Sequence, residues 1–235
     1  MTTVLEEPFD DLSEWDSQLN ATIIAGGRTG NGLQVSSNGS LRYDLQNASD
    51  WVTLGVAFKA SLTANRAAVG LLADAASVVQ VTLVVLTTGA IEVRRGTSTG
   101  ALLGTTVTGL VTGDTWTYLE WQSRMHDTAG ESRVRVNNTQ VLNLTAVDTR
   151  AAGTTGTVFS HVRLATASGA THLYDDMYVA VGAGESFRGD IHIGAGPSAK
   201  VWNGSAYIDG PVRTYNGSAF VDAVAVKTWN GSAFV

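Results

Sequence analysis

Apolar and polar residues alternate every second position through most of this chain, the period of a strand with one buried face. Tyr174, Asp176 and Tyr178 alternate with Asp175, Met177 and Val179. Trp116, Tyr118 and Glu120 fall on one side of residues 115–122, and Leu119 and Trp121 on the other. The same pattern predicts strands over 33–35, 41–43, 51–60, 91–94, 133–136, 140–144, 158–164, 173–179 and 190–193. Asn38-Gly39 predicts a tight hairpin between 33–35 and 41–43, and Asn137-Asn138 predicts another after 133–136. Residues 60–79 are rich in Ala, which favours helix, but Gly70 and Asp74 fit a helix badly. Two strands, 68–72 and 78–86, joined by a turn at 74–77, are the better reading. Phe9, Leu12 and Trp15, spaced by three, predict one helical turn. About a dozen short strands separated by polar turns argue for two packed antiparallel sheets.

The C-terminal residues follow a different rule. Lys200-Val-Trp-Asn-Gly-Ser-Ala-Tyr-Ile-Asp209 recurs as Arg213-Thr-Tyr-Asn-Gly-Ser-Ala-Phe-Val-Asp222, and again from Lys227 to Val235. Each copy predicts a hairpin with Asn-Gly at its turn, Trp202 opposite Ser205 and Tyr207 diagonal on the same face. Trp202, Tyr207, Tyr215, Phe220, Trp229 and Phe234 are thus candidate docking residues. An isolated hairpin is marginal in water, so these aromatics need cover from the sandwich, a second copy or another protein. The expected division is a sandwich over 1–193 and a linker with three repeats over 194–235.

Composition narrows the function. Only 15% of residues are charged and the net charge is −6, which argues against nucleic acid, whose phosphates require clustered Lys and Arg. No cysteine is present, so disulfides and thiolate metal sites are excluded. No apolar run approaches the ~20 residues of a membrane helix. The first residues, Met1 to Asp11, lack the basic and apolar regions of a signal peptide, predicting synthesis in a cytoplasm without a secretory signal.

Candidate chemistry centres on Asp175 and Asp176. Adjacent strand residues point to opposite faces, so one carboxylate is expected to face inward and to require hydrogen bonds or a cation. Ca²⁺, a hard cation that takes carboxylate oxygens, and backbone N–H donors are the two ways of satisfying them. Gly96-Thr97-Ser98-Thr99-Gly100 matches the nucleophile elbow of hydrolases, but no helix is predicted after it, and a plain hairpin turn is expected. Gly194-Ala-Gly196 lacks the helix of a dinucleotide site. Arg188-Gly189-Asp190, a tripeptide of some integrin ligands, is read as chance. His126, His161, His172 and His192 have no metal-binding spacing, so structural or surface roles are expected for each. Without a secretory route the N-x-S/T triplets are expected to be inert, and turn chemistry explains those that read Asn-Gly.

Taken in order, Gly27-Arg-Thr-Gly-Asn-Gly-Leu-Gln34, Gly89-Ala-Ile-Glu-Val-Arg-Arg-Gly96, Trp116-Thr-Tyr-Leu-Glu120, His126-Asp127 with Gly130, Val147-Asp148-Thr149-Arg150, Tyr174 to Val179 and Gly189-Asp190 form a recognisable series. The span from Phe9 to Ile193 resembles the concanavalin A-like (laminin G-like) jelly-roll domains in structural proteins of tailed bacteriophages. The repeats resemble short aromatic repeats at the ends of phage tail proteins. The resemblance implies an all-β, two-sheet jelly-roll sandwich followed by repeated hairpins, in a virion protein of minor tail or fibre type. It implies assembly with other virion proteins, a homo-oligomer (a trimer, as in phage fibres), and in some members a host-surface glycan; it carries over no catalytic residue. Two further readings stand beside it. One is a lectin-like carbohydrate-binding module, favoured by exposed aromatics across a concave sheet face. The other is a glycan-degrading enzyme, which needs two carboxylates facing across a groove.

Overall fold

The computed structural model describes residues 2–63, 66–166, 170–183 and 187–191, and the short strands within 199–222. Two compact units divide at Met1–Ile193 and Gly194–Val235. The first is built from β1 (Thr2–Glu7), β2 (Ser17–Ala25), β3 (Asn31–Ser49), β4 (Trp51–Ala60), β5 (Arg66–Ala73), β6 (Val79–Leu86), β7 (Ile91–Arg95), β8 (Ala101–Thr105), β9 (Thr117–Arg124), β10 (Gly130–Val136), β11 (Thr139–Val147), β12 (Phe159–Ala165) and β13 (Thr171–Val181). No helix occurs among the described residues. The strands are antiparallel and hydrogen-bonded in the order β11-β10-β9-β4-β13-β3-β12-β5-β6-β7-β8, with β1 on β13 and β2 on β3. β8 meets β11 at the far edge, so the sheet folds over on itself into a nearly closed sandwich.

One core fills the interior. Val52, Leu54, Val56 and Phe58 of β4, Leu119 and Trp121 of β9, and Met177 and Val179 of β13 face Val69, Leu72, Val81, Leu83, Val162 and Leu164 from the opposite layer, all at most 1% exposed. Alternation along these strands is what places every second residue there. Residues 66–86 form β5 and β6 around a turn in which Asp74 Oδ1 accepts the Ala76 and Val78 N–H groups, as expected. The Asn137-Asn138 hairpin is also as expected: Val136 pairs with Thr139, and both Asn residues have positive φ, 46° and 70°. Gly96–Gly100 is the turn between β7 and β8, closed by Gly100 N–H to Thr97 O at 2.8 Å.

The expected Asn38-Gly39 hairpin is not formed. β3 runs unbroken for 19 residues. Its first part pairs with β13 at 33–36 and its second with β12 at 40–44. Asn38, at φ 56°, bends the strand from one layer into the other. Asn20 of the neighbouring β2, at φ 48°, bends in step and donates its side-chain amide to Ser37 O. The left-handed conformation that Asn-Gly makes accessible thus produces a sandwich corner instead of a reversal, because both halves find long-range partners.

In the second unit, β14 (Ala199–Trp202) pairs with β15 (Tyr207–Gly210), and β16 (Arg213–Tyr215) with β17 (Phe220–Asp222). The register sets Trp202 opposite Tyr207 and Tyr215 opposite Phe220. This corrects the expectation of Trp202 opposite Ser205: the connection spans four residues, so the aromatic positions meet directly across the ladder. Trp229 and Phe234 lie outside the described residues.

Candidate functional site

The acid-rich part of β13 departs from ideal strand geometry, and the departure creates the site. Pairing of β13 with β4 slips between Asp175 and Tyr178, and Asp176 takes φ 48°. This bulge adds a residue on β13, so Asp175 and Asp176 do not point to opposite faces as the alternation predicts. Both carboxylates reach the same partner, the loop between β2 and β3. Asp175 Oδ2 accepts Thr29 N–H at 2.8 Å, and Asp176 Oδ1 accepts the Thr29 hydroxyl at 2.5 Å. The Gly-rich sequence of that loop permits the approach: a Cβ on Gly27 would lie 2.5 Å from Asp175 Oδ2.

Both aspartates are fully buried. Burial, reinforced by the neighbouring Asp176 charge, pushes the Asp175 carboxyl up to about 6, against the lowering effect of its backbone hydrogen bonds. The cation at this pair is the Arg28 guanidinium, whose Nη1 lies 3.4 Å from Asp176 Oδ2. A guanidinium and N–H donors thus occupy the directions in which Ca²⁺ would need oxygen ligands. Among the described residues no group of three or more His, Asp or Glu side chains is placed to hold a metal ion, so the donor set fits Arg28 better than Ca²⁺.

Arg28 also links this pair to the chain's passage out of the sandwich. Its Nη2 lies 2.5 Å from Asp190 Oδ1, and its Nη1 donates to Ile191 O at 3.4 Å. Residues 187–191 lie as an irregular strap over the outer face of β9, β4 and β13. The strand expected over 190–193 is not formed at Asp190 and Ile191, because their backbone is used in this docking; His192 and Ile193 lie outside the described residues.

Glu120 holds the strap at its centre. Its Oε1 accepts the Tyr178 hydroxyl at 2.6 Å, Arg188 N–H at 2.7 Å and Gly189 N–H at 2.9 Å. Asp190 N–H reaches Asn138 Oδ1, and the Arg188 guanidinium pairs with Glu6. Arg135 lies 4.3 Å from the Phe187 ring centroid, and Arg28 and Arg188 lie over Tyr118 and Tyr178. Tyr118 and Tyr178 are at most 1% exposed beneath this cover. Burial and the nearby carboxylates push both phenols well above their ordinary range. Gly55, paired with Tyr178 across β4 and β13, makes room for that ring: a Cβ there would fall 2.0 Å from Tyr178 Cε1.

The alternation at 115–122 locates Glu120 on the aromatic face, but nothing local in the sequence pairs it with Arg188 and Gly189. Arg188-Gly189-Asp190 is a fastening rather than a free recognition loop: Gly189 and Asp190 are half-buried, and the exposed Arg188 is held by its backbone bond to Glu120 and its pair with Glu6. An Asp176→Ala variant is expected to lose about 1–3 kcal/mol, since it removes the acceptor of the Thr29 hydroxyl bond and one of the acidic partners of Arg28. Asp50→Ala should lose less than about 0.5 kcal/mol, because Asp50 makes a surface pair with Arg124. Equal melting shifts for the two would contradict the clamp.

No family model matches this chain, and no curated protein matches it by sequence. Its fold does have solved counterparts. The carbohydrate esterase vb_24B_21 of the Shiga toxin-encoding bacteriophage phi24B is similar over 77% of this chain and 99% of that one, at 15% identity and TM-score 0.53. The binding domain of Paraclostridial Mosquitocidal Protein 1 is similar over 73% of this chain and 44% of that one, at 10% identity and TM-score 0.51. The carbohydrate-binding module CBM66 from Bacillus subtilis covers 71% of this chain at 10% identity and TM-score 0.45. What this chain has in common with the first two is the antiparallel β-sandwich.

Proposed function

We propose that the protein is a structural component of a tailed-phage virion, a minor tail or fibre-like protein that works by assembly and not by catalysis. The observation that carries this reading is the strap. Asp175, Asp176 and Glu120 are all buried and engaged by Thr29, Arg28, Tyr178 and the 188–189 backbone. At this acidic site a glycosidase pair would need two carboxylates open to a groove, and a lectin face on this sheet would need Tyr118 and Tyr178 exposed. Here both are sealed by the chain's own residues, which lead in sequence to the repeats. The solved phage sandwich supports the same setting for this fold.

The sandwich then serves as a rigid mount, and the repeats carrying Trp202, Tyr207, Tyr215, Phe220, Trp229 and Phe234 dock to other virion proteins or to further copies, a homotrimer being the expected state. A repeat that cannot bury its own face suits assembly, where neighbours supply the missing layer. Contact with a host-surface glycan would belong to the sandwich. Mass analysis of purified particles tests membership and copy number, and absence from the particle overturns the reading. Deleting residues 200–235 should abolish both oligomerisation and incorporation while preserving the β-sheet spectrum. A truncated chain that keeps both would falsify the docking role.

A further inference from the structure

At the end of the sandwich formed by the β5–β6 turn, two open cavities of about 410 Å³ and 260 Å³ lie on either side of residues 150–158, and Gly156 lines both. Sites for small ligands span about 300–1,000 Å³, and the larger cavity falls within that range. The larger is lined by Asp74, Thr154, Thr155 and Ser160 among others, and the smaller by Asp50, His126, Asp127, Arg150 and Thr157.

The ridge between the lobes is fixed from below. Gln80, fully buried, accepts Ala151 N–H at 2.7 Å and the Thr154 hydroxyl at 3.3 Å through Oε1, and donates through Nε2 to Asp74 Oδ2 at 2.8 Å. Buried Thr149 ties the start of the ridge to the backbone of Arg124 and His126. A groove held this way needs little ordering on binding, which favours affinity.

Its chemistry selects a class of ligand. His126 Nδ1 accepts Thr128 and Ala129 N–H groups at 3.1 and 3.0 Å, so the neutral ring carries its proton on Nε2, as a donor. Asp127 and Arg150 form an ion pair at the rim, and Asp50 pairs with Arg124. These two pairs cancel, and Asp74 adds a further carboxylate in the larger lobe, which disfavours phosphate, sulfate and sialic acid. Hydroxyls and carboxylates share the walls with apolar residues, Ala75, Ala76, Val78 and Val158 in the larger lobe and Met125 in the smaller, a mixture that matches the polar edges and apolar ring faces of a sugar. Carboxylates beside a ring N–H and several hydroxyls match the vicinal hydroxyl groups of sugars, which both donate and accept. We propose that this two-lobed groove binds a neutral oligosaccharide, with one sugar in each lobe across Gly156.

The proposal deepens the host-surface part of the virion reading. The two fail separately: particle analysis tests membership, and glycan binding by the purified chain tests the groove. The full chain is applied to an array of neutral and sialylated oligosaccharides, and hits are re-measured by saturation-transfer NMR. Neutral oligosaccharides should bind. Asp127→Ala, which removes a rim acceptor, and Thr155→Trp, which fills the larger lobe, should each weaken binding by about tenfold or more. Both positions are exposed, so melting temperatures should stay near the wild-type value. Val107→Trp, at a residue 73% exposed and beyond the opposite end of β6, should leave binding unchanged. No bound neutral oligosaccharide, equal binding of sialylated ones, or binding that survives both groove variants would overturn the assignment.

Discussion

Glu120→Ala is expected to lower unfolding free energy by about 3–5 kcal/mol, the range for removing one partner from a buried charged network. Glu120 is 1% exposed, and its Oε1 accepts from the Tyr178 hydroxyl and from the Arg188 and Gly189 backbone. Alanine removes the acceptor shared by the Tyr178 hydroxyl and the Arg188 and Gly189 N–H groups, although Arg188 N–H keeps the Tyr178 oxygen at 3.1 Å, and a donor that loses its acceptor costs about 1–3 kcal/mol if it stays buried. The strap can relieve two of them by lifting into water, so the loss should fall below the full sum. Lifting would uncover Tyr118 and Tyr178 and free Arg28 from Asp190. Denaturant unfolding reads the stability, and limited proteolysis within 183–193 reads the strap. Glu120→Gln keeps an oxygen facing the same donors and should cost about 1–2 kcal/mol with little new cleavage. If the Ala variant stays as protease-resistant as wild type, Glu120 does not hold the strap.

The second large effect is pH dependence. His161 is fully buried, and burial together with the nearby Arg42 and Arg163 charges pushes its ring down to about 4, against weaker support from Asp44 and Asp74. His172, packed between Phe58 and Tyr174, is also pushed down to about 4 by burial. In the unfolded chain both titrate near 6.5. Between about 6.5 and 4 the unfolded state therefore binds more protons, so stability is full above 6.5 and falls as the pH drops through that window. The gap is worth about 3 kcal/mol per histidine.

Asp175 works in the opposite sense. Its folded value of about 6 lies above the unfolded 3.8, so its contribution is full below about 4 and is lost as pH rises through 6. It offsets roughly one histidine, leaving a net loss on the order of 3 kcal/mol on acidification from pH 7 to 4. Chemical denaturation across that range measures it. A His161→Gln, His172→Gln double variant should reverse the slope, leaving Asp175 to make the protein more stable in acid. A double variant that keeps the wild-type slope would place the acid sensitivity elsewhere.

Much of the sandwich was legible because strand periodicity is local. The faces of 115–122, the turns at Asp74 and Asn137-Asn138, and the reading of Gly96–Gly100 as a hairpin turn follow from side-chain alternation and turn chemistry, which need no distant partner. The failures share a cause. Asn38-Gly39 carries a strong hairpin signal, yet β3 continues, because β13 and β12 offer its two halves separate ladders. Trp202 meets Tyr207 rather than Ser205 because ladder register, not the Asn-Gly preference alone, sets the length of the connection.

An all-β chain, and an acidic pair at 175–176 that has to be satisfied, can be read from local residues alone, since alternation and the cost of burying charge are properties of a few neighbours. How the pair is satisfied depends on contacts between distant segments. A bulge turned both carboxylates to one side, a glycine-rich loop about 145 residues earlier supplied Thr29 and Arg28, and Glu120 captured the 188–189 backbone. Those contacts join segments far apart in the chain, and their geometry exists only after the two layers have packed and fixed which residues can reach one another.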